Sequence, residues 1–402
     1  MVEITKNLFW VGAKDPTLRV FDIIMTAEYG TTYNSYLLKN KTAEDQNAFV
    51  LFETVKDKFF DEFWARLQED VTNIKDIKYL VVNHTEPDHS GSVSKILALI
   101  PDITIISSPT AKKYLENITN KTFQHVVAKE GSDLNLGTHT LSFKSVPQLH
   151  WPDTIYTYIV EEKTLITCDS FGAHYSSDKC FYNQLEGKEI SAFDKAYKYY
   201  FDVIMGPFKP FVLKALAKIE NLEIDYVAPG HGLIFDDMNF PKYKHMYKKW
   251  ASATPKKDID ILIGYVSAYG YTEKIAEKIE AIALAKDKKV EVINLEDTKV
   301  EDFMKKVDSS RVLLLGSTTI LGDTLPQIWA VLSSLNGTIN KGLIAGTFGS
   351  YGWSGEATKF ITERFNQLKF KQPSPPLTTV FNPSDTDMEK IEEFTKLILE
   401  SL

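Results

Sequence analysis

Apolar positions along the chain follow two regimes. Up to about residue 250, short runs recur between turn-forming and charged residues: Leu8 to Val11, Tyr33 to Leu38, Ala48 to Phe52, Ile77 to Val82, Ile103 to Ile106, Thr138 to Phe143, Ile155 to Val160 and Thr164 to Cys168. Runs of this length predict strands. Two stretches predict helices instead. In Lys58 to Leu67, the residues Phe59, Phe60, Phe63, Trp64 and Leu67 recur near the three-and-four spacing, and Ser90 to Ile100 is closed by Pro101. Many strands with a few helices predict an α+β sandwich of two sheets with helices outside. Beyond residue 258 the regime changes. Strand-like runs at Ile259 to Val266, Val290 to Leu295, Arg311 to Leu315, Gly342 to Thr347 and Leu377 to Phe381 are interleaved with helical patterns. Those patterns lie near Thr272 to Ala285, Pro326 to Leu335, Gly355 to Leu368 and Met388 to Leu399. Alternation of this kind predicts an α/β doubly wound parallel sheet. Ala251 to Lys257, small, polar and proline-bearing, reads as a linker. The expected organisation is therefore a first domain over 1–250, a linker over 251–257 and a second domain over 258–402.

Composition narrows the classes without choosing among them. A chain of 402 residues exceeds what one core usually supports, which agrees with two domains. Hydrophobic content of 44% and charged content of 25% are those of an ordinary globular protein. A formal net charge of -8 argues against a nucleic-acid partner held through phosphates. No apolar run approaches the ~20 residues of a membrane span, and the amino terminus lacks a basic start followed by an apolar signal core. No membrane association and a cytoplasmic location are the expectations. With Cys168 and Cys180 alone, neither a disulfide framework nor a four-cysteine metal site is available.

Candidate chemistry concentrates where predicted strands end. After Ile77 to Val82 comes Asn83-His84-Thr85-Glu86-Pro87-Asp88-His89-Ser90-Gly91, with four metal-ligating side chains within six residues. Pro87 bars regular helix through the segment, so these side chains are expected on a loop positioned by a sheet. Three more ligand types stand at comparable places: His150 in His150-Trp151-Pro152-Asp153, Asp169 in Asp169-Ser170-Phe171-Gly172, and His231 in Pro229-Gly230-His231-Gly232. Taken singly, each of these three reads as an ordinary loop residue. His125, His139, His174 and His245 fit no place in the pattern, though His174 lies near enough to Asp169 to support it from outside. Strand alternation points the Cys168 side chain to the face opposite Asp169.

In the second domain, Ser267-Ala268-Tyr269-Gly270-Tyr271-Thr272 joins the first strand to its helix with hydroxyls and a glycine, which suits a phosphate at a helix amino terminus. It is neither a Walker loop nor Gly-x-Gly-x-x-Gly. Gly316-Ser317-Thr318-Thr319-Ile320-Leu321 follows the third strand, and Phe348-Gly349-Ser350-Tyr351-Gly352-Trp353-Ser354-Gly355 the fourth. Glycines there permit close approach to a flat ring, and Tyr351 or Trp353 can cover a ring face.

The order His84-x-Glu86-x-Asp88-His89, His150, Asp169, His231 resembles the metallo-β-lactamase-like domain of flavodiiron proteins. The three loops of the second domain resemble the same family's flavodoxin-like domain. Hydrolases of the first superfamily generally carry a second imidazole where this chain has Glu86. Four imidazoles with three carboxylates suit readily oxidised iron better than softer sets do. The resemblance implies an αβ/βα sandwich followed by a flavodoxin-like sheet, with two irons and FMN per chain. By position, it implies His84, Glu86 and His150 on one iron, Asp88, His89 and His231 on the other, and Asp169 bridging. It implies FMN contacts from Ser267, Tyr269, Gly270, Tyr271 and Thr272, from Ser317, Thr318, Thr319, Ile320 and Leu321, and from Ser350, Tyr351, Gly352, Trp353, Ser354 and Gly355. Tyr269 departs from the threonine common in single-domain flavodoxins.

The implied activity is reduction of dioxygen to water, of nitric oxide to nitrous oxide, or both. FMN would relay electrons from an external donor, rubredoxin or another reduced carrier. Some relatives carry a rubredoxin module after the flavin domain, and this sequence ends at Leu402 without one. A head-to-tail homodimer, or a dimer of such dimers, is the implied assembly. Two other readings stay open at this point: a metallo-hydrolase with a flavodoxin-like appendage, against which Glu86 argues, and an electron carrier with a degenerate metal domain.

Overall fold

The apolar runs of the first half pair into two sheets. Among the described residues, Val2–Glu3, Leu8–Trp10, Tyr36–Leu38, Phe49–Phe52, Ile77–Val82, Thr104–Ser107 and Gln124–Val127 form a seven-stranded sheet in that order. Its last four strands run parallel and the others pair antiparallel. Asp133–Asn135, Thr140–Ser145, Ile155–Ile159, Thr164–Cys168, Tyr226–Pro229 and Phe235–Asp236 form a six-stranded one, parallel only between Thr164–Cys168 and Tyr226–Pro229. The computed structural model describes residues 1–253 and 256–402, and the chain divides into the units Met1–Ala253 and Thr254–Leu402.

Alternation decides what each strand buries. Val50, Phe52, Val81 and Ile106 of the first sheet meet Phe143, Ile155, Ile166 and Ala228 of the second between the sheets. Their neighbours Leu51, Leu80, Val82 and Ile105 turn outward onto Phe63, Ile96 and Leu115 of helices Phe60–Gln68, Val93–Leu99 and Pro109–Thr119. On the far side, Tyr156, Leu165 and Val227 pack against Tyr197, Leu216 and Tyr247 of helices Lys188–Tyr200, Lys209–Lys218 and Phe240–Ser252. Each such side chain contributes about 1.5–3 kcal/mol on burial, so a one-residue slip in register would be severely penalised. The result is the expected αβ/βα sandwich.

In the second unit, parallel strands stand in the order Val290–Asn294, Ile259–Val266, Ser310–Ser317, Ile344–Tyr351, Leu377–Val380. This is the 2-1-3-4-5 order of the flavodoxin-like doubly wound fold. Crossover helices cover both faces, so the central strands are buried on both sides and read as continuous apolar runs.

Several local expectations change. Pro87 does not bar helix; it occupies the first position of a one-turn helix, Pro87–Ser90, where its missing N–H costs nothing. Helix Phe240–Ser252 runs into the stretch expected as linker, whose Thr254 and Pro255 lie outside the described residues. Strand Ile344–Tyr351 continues through the glycine-bearing stretch read as loop. A small hairpin, Val20–Phe21 with Met25–Thr26, carries no alternation that would have announced it. Among the described residues no helix is long and apolar enough to cross a membrane.

Candidate metal centre and flavin loops

The loop after strand Ile77–Val82 is tied down before any ligand is placed. Asn83 N donates to Glu53 Oε1 at 2.8 Å, Ile155 N donates to Asn83 O at 2.9 Å, and Thr157 Oγ1 donates to Asn83 Oδ1 at 2.6 Å. His84 leaves this anchor with Nδ1 against Asp153 Oδ1 at 3.3 Å, while Asp153 Oδ2 accepts from Thr85 N and Oγ1 at 2.8 Å each. A carboxylate at Nδ1 holds that nitrogen as N–H and leaves Nε2 free to ligate. Nε2 of His84 then lies 3.2 Å from Glu86 Oε2 and 3.5 Å from Asp169 Oδ2. His150 Nε2 reaches the same two oxygens at 3.0 and 3.6 Å.

A second group forms around the other oxygen of Asp169. His89 Nε2 stands 3.1 Å from Asp169 Oδ1 and 3.5 Å from Asp88 Oδ2. His231 Nε2 stands 2.9 Å from Asp88 Oδ2 and 3.4 Å from Asp169 Oδ1, with its Nδ1 donating to Thr32 O at 2.5 Å. The seven residues singled out in the sequence thus meet in one cluster, and Asp169 faces the two groups with separate oxygens. Tyr200 Oη donates to Asp169 Oδ1 at 2.9 Å. Glu86 and His150 retain partial exposure and mark the opening, while the other five are buried.

Electrostatics agree with a cation-binding set. Burial opposes ionisation of Asp169, and the imidazoles of His89, His84 and His150 outweigh it, holding the carboxyl well below its usual range. Burial likewise opposes charge on His84 and His89, yet carboxylates push both well above the usual histidine value: Asp153 and Glu86 for His84, Asp88 and Asp169 for His89. The set fits a pair of divalent transition metals: four Nε2 atoms converge on three carboxylates, and Asp88 Oδ1 is buried without a hydrogen-bond partner. Metal binding would replace the protons that His84 and His89 hold.

Around the cluster stand further buried groups, of which the sequence singled out Cys168 and His174. Cys168 does not face away from Asp169. A register shift at Ile166 to Cys168 and a φ of +50° turn the strand end, and its sulfur joins a buried group with His89 and Glu53. Burial pushes the Glu53 carboxyl up to about 8. His174, 3% exposed, stacks 4.2 Å from Phe21 and lies 5.4 Å from the His231 ring, with Nδ1 against Thr31 Oγ1 at 3.0 Å. Burial and the neighbouring His231 lower its pKa to about 3, so it is neutral. His125 bonds Ser107 and buried His139 bonds Glu162, both apart from the cluster, while His245 is exposed on its helix. Asp153 lay in a quoted motif without a role; Thr32, Glu53 and Tyr200 gave no local signal.

In the second unit, the three candidate loops stand at the carboxyl ends of adjacent strands. Gly270 (φ +77°) precedes helix Tyr271–Leu284, and Ser267 Oγ accepts from Glu273 N at 3.3 Å. Thr272 Oγ1 and Thr318 Oγ1 are 3.2 Å apart, and Thr319 Oγ1 accepts from Ala357 N at 3.3 Å. Ile320 and Asp323 exchange backbone hydrogen bonds of 3.1 Å, a tight turn that throws Leu321 outward. Ser350 Oγ is spent on Phe381 O at 2.8 Å, so that side chain faces inward. Tyr269 and Trp353 are 82% and 91% exposed, leaving two aromatic faces free on these loops. This arrangement fits a phosphate with a flat ring, as FMN has.

Residues 31–232 match the family model described as ODP family beta lactamase, and residues 263–394 match the flavodoxin model. The chain is 36% identical to the flavo-diiron protein FprA2 of Clostridium acetobutylicum, over 99% of this chain and 99% of that one. It is 33% identical to the nitric oxide reductase of Moorella thermoacetica, over 99% and 98%. Among solved structures it resembles rubredoxin oxygen:oxidoreductase of Desulfovibrio gigas, with TM-score 0.70 and 27% identity over 100% of this chain and 98% of that one. A variant of the flavo di-iron protein of Thermotoga maritima gives TM-score 0.65 and 27% identity over 98% and 96%.

Proposed function

Because the chain belongs to the flavodiiron family, an oxidoreductase family that carries FMN and a non-haem diiron centre, we propose that Asp169 bridges its two irons, with His84, Glu86 and His150 on one and Asp88, His89 and His231 on the other. The observation that carries this is the division of Asp169: Oδ2 faces one group of donors and Oδ1 the other. The enzyme reduces dioxygen to water, nitric oxide to nitrous oxide, or both. Reduced FMN and a diferrous pair hold four electrons between them, the number that dioxygen needs.

The protein's own part is to orient, to exclude water and to admit gas. Asp153 and Thr32 O fix the ring orientation of His84 and His231 through Nδ1, so that both Nε2 atoms point into the cluster. Tyr200 steadies the Asp169 carboxylate by donating to Oδ1. Glu86 and His150, the two partly exposed members, flank the entrance. The sixteen candidate residues of loops 267–272, 317–321 and 350–355 would hold FMN, with the start of helix Tyr271–Leu284 suited to its phosphate and the exposed Trp353 and Tyr269 to its ring. A separate reduced carrier, rubredoxin or another, supplies electrons to the flavin. Two chains assemble head to tail, so that the flavin of one serves the irons of the other, and the protein works in the cytoplasm.

Two measurements test this reading. Consumption of dioxygen and of nitric oxide by chemically reduced enzyme establishes the reaction; no consumption of either gas contradicts it. For assembly, an iron-lacking Asp169→Ala, His89→Ala variant is mixed with a flavin-lacking variant altered at Gly349 and Gly352. Mixed dimers are expected to regain activity, and verified subunit exchange without recovery contradicts transfer between chains.

A further inference from the structure

Beside helix Lys188–Tyr200, a chamber of about 240 Å³ leads inward from the surface of the first unit. Its rim holds the exposed Thr26, Glu28 and Tyr199, and its inner wall the buried Ala196 and His174. Most of the polar groups at the rim pair with one another. Lys195 Nζ meets Glu28 Oε2 at 2.7 Å and lies 5.8 Å over the Tyr29 ring, and Thr26 N donates to Tyr199 Oη at 3.1 Å. What remains to face the space is ring surface, the Ala196 methyl and the Lys195 stem. The charged groups on the lining neutralise each other, so an ion gains nothing there, and water finds few of the two to four partners it needs.

His174 links this chamber to the metal set. Its ring is 4.8 Å from Tyr200, which bonds Asp169, and 5.4 Å from His231. Its Nδ1 is engaged by Thr31, while its Nε2 is buried without a partner. A space with apolar walls, closed on the inside by one imidazole that touches a proposed ligand, suits a small uncharged guest. An apolar cavity of about 150 Å³ is enough to stay dry and take up xenon.

We propose that this chamber is a binding antechamber for the diatomic gas, a second way in to the metal set that ends at His174 and is distinct from the opening at Glu86 and His150. The inference rests on the reading that a gas is reduced at that set.

Xenon is the direct probe, since it matches the guest in being small and uncharged. Crystals of the unmodified protein under xenon pressure are expected to show xenon between Ala196 and Tyr199. Kinetics supply the second arm. Thr26→Trp narrows the mouth at an exposed position, and Ala196→Phe fills the interior. In both, KM for dioxygen is expected to rise several-fold, with kcat at saturating gas, iron content and FMN content unchanged. Xenon bound elsewhere but absent here, together with an unchanged KM in both variants, overturns the antechamber and assigns entry to the Glu86 and His150 opening alone. In that case the unmodified protein still consumes gas. Failure of the unmodified protein to consume either gas defeats the reduction reading, and the inference with it.

Discussion

The metal cluster and the flavin loops are built on opposite principles. In the first unit the site consists of buried charged side chains at strand ends, each held by a partner: His84 by Asp153, His231 by Thr32 O, Asp169 by Tyr200. In the second unit it consists of backbone turns, glycines and exposed rings, with polar side chains such as Ser350 and Thr272 satisfied internally. A metal pair demands fixed donor atoms and compensated charge, whereas a flavin phosphate and ring demand backbone amides and an accessible flat face. The metal region is therefore expected to fail through single side chains and the flavin region through backbone crowding.

The largest expected effect follows from the bridging position. Asp169→Ala should abolish gas reduction and metal retention, since both donor groups lose the carboxylate they share, while FMN stoichiometry stays the same. Loss of flavin in that variant would show that the two regions are not independent. Next comes Gly349→Ala, whose added Cβ would lie 2.2 Å from Ser317 O, a backbone atom that cannot swing away. Overpacking of this kind costs about 1–3 kcal/mol. Thermal unfolding of the second unit and flavin content should both fall, with iron content intact. Asp153→Asn should then lower metal affinity by about 10–100-fold, the usual cost of losing the partner behind a ligating histidine. Titration of the metal-free protein with ferrous ion measures it. The smallest effect belongs to Trp353→Ala: with 91% of the residue exposed, stability should change by less than about 0.5 kcal/mol, and only the rate of flavin release should rise.

The same contrast explains what was legible in the sequence. The four ligand candidates of residues 84–89 are legible because they crowd directly behind a strand-like run, and strands position their ends predictably; His150, Asp169 and His231, ordinary loop residues taken singly, are legible only through the order of the whole set and its resemblance to the family. The partners behind them are not. Thr32 and Tyr200 sit 199 and 31 residues from the residues they hold, and no local pattern connects them. Alternation misplaces Cys168 because it assumes a regular strand, while a left-handed residue at the strand end reverses the face. Pro87 reads locally as a helix breaker, although at the first position of a helix it is favoured. In the second unit the strand and helix alternation carried the topology, but glycines hid the last residues of strand Ile344–Tyr351.

The seven buried and half-buried donors are proposed to hold two irons bridged by Asp169. Mössbauer spectroscopy with elemental analysis, on protein produced without oxygen and supplied with enriched iron, tests it most directly. Two irons per chain are expected as a coupled pair in the unmodified protein, with loss of that pair in Asp169→Ala. Two zincs per chain under the same conditions, or irons that remain coupled in Asp169→Ala, would contradict it.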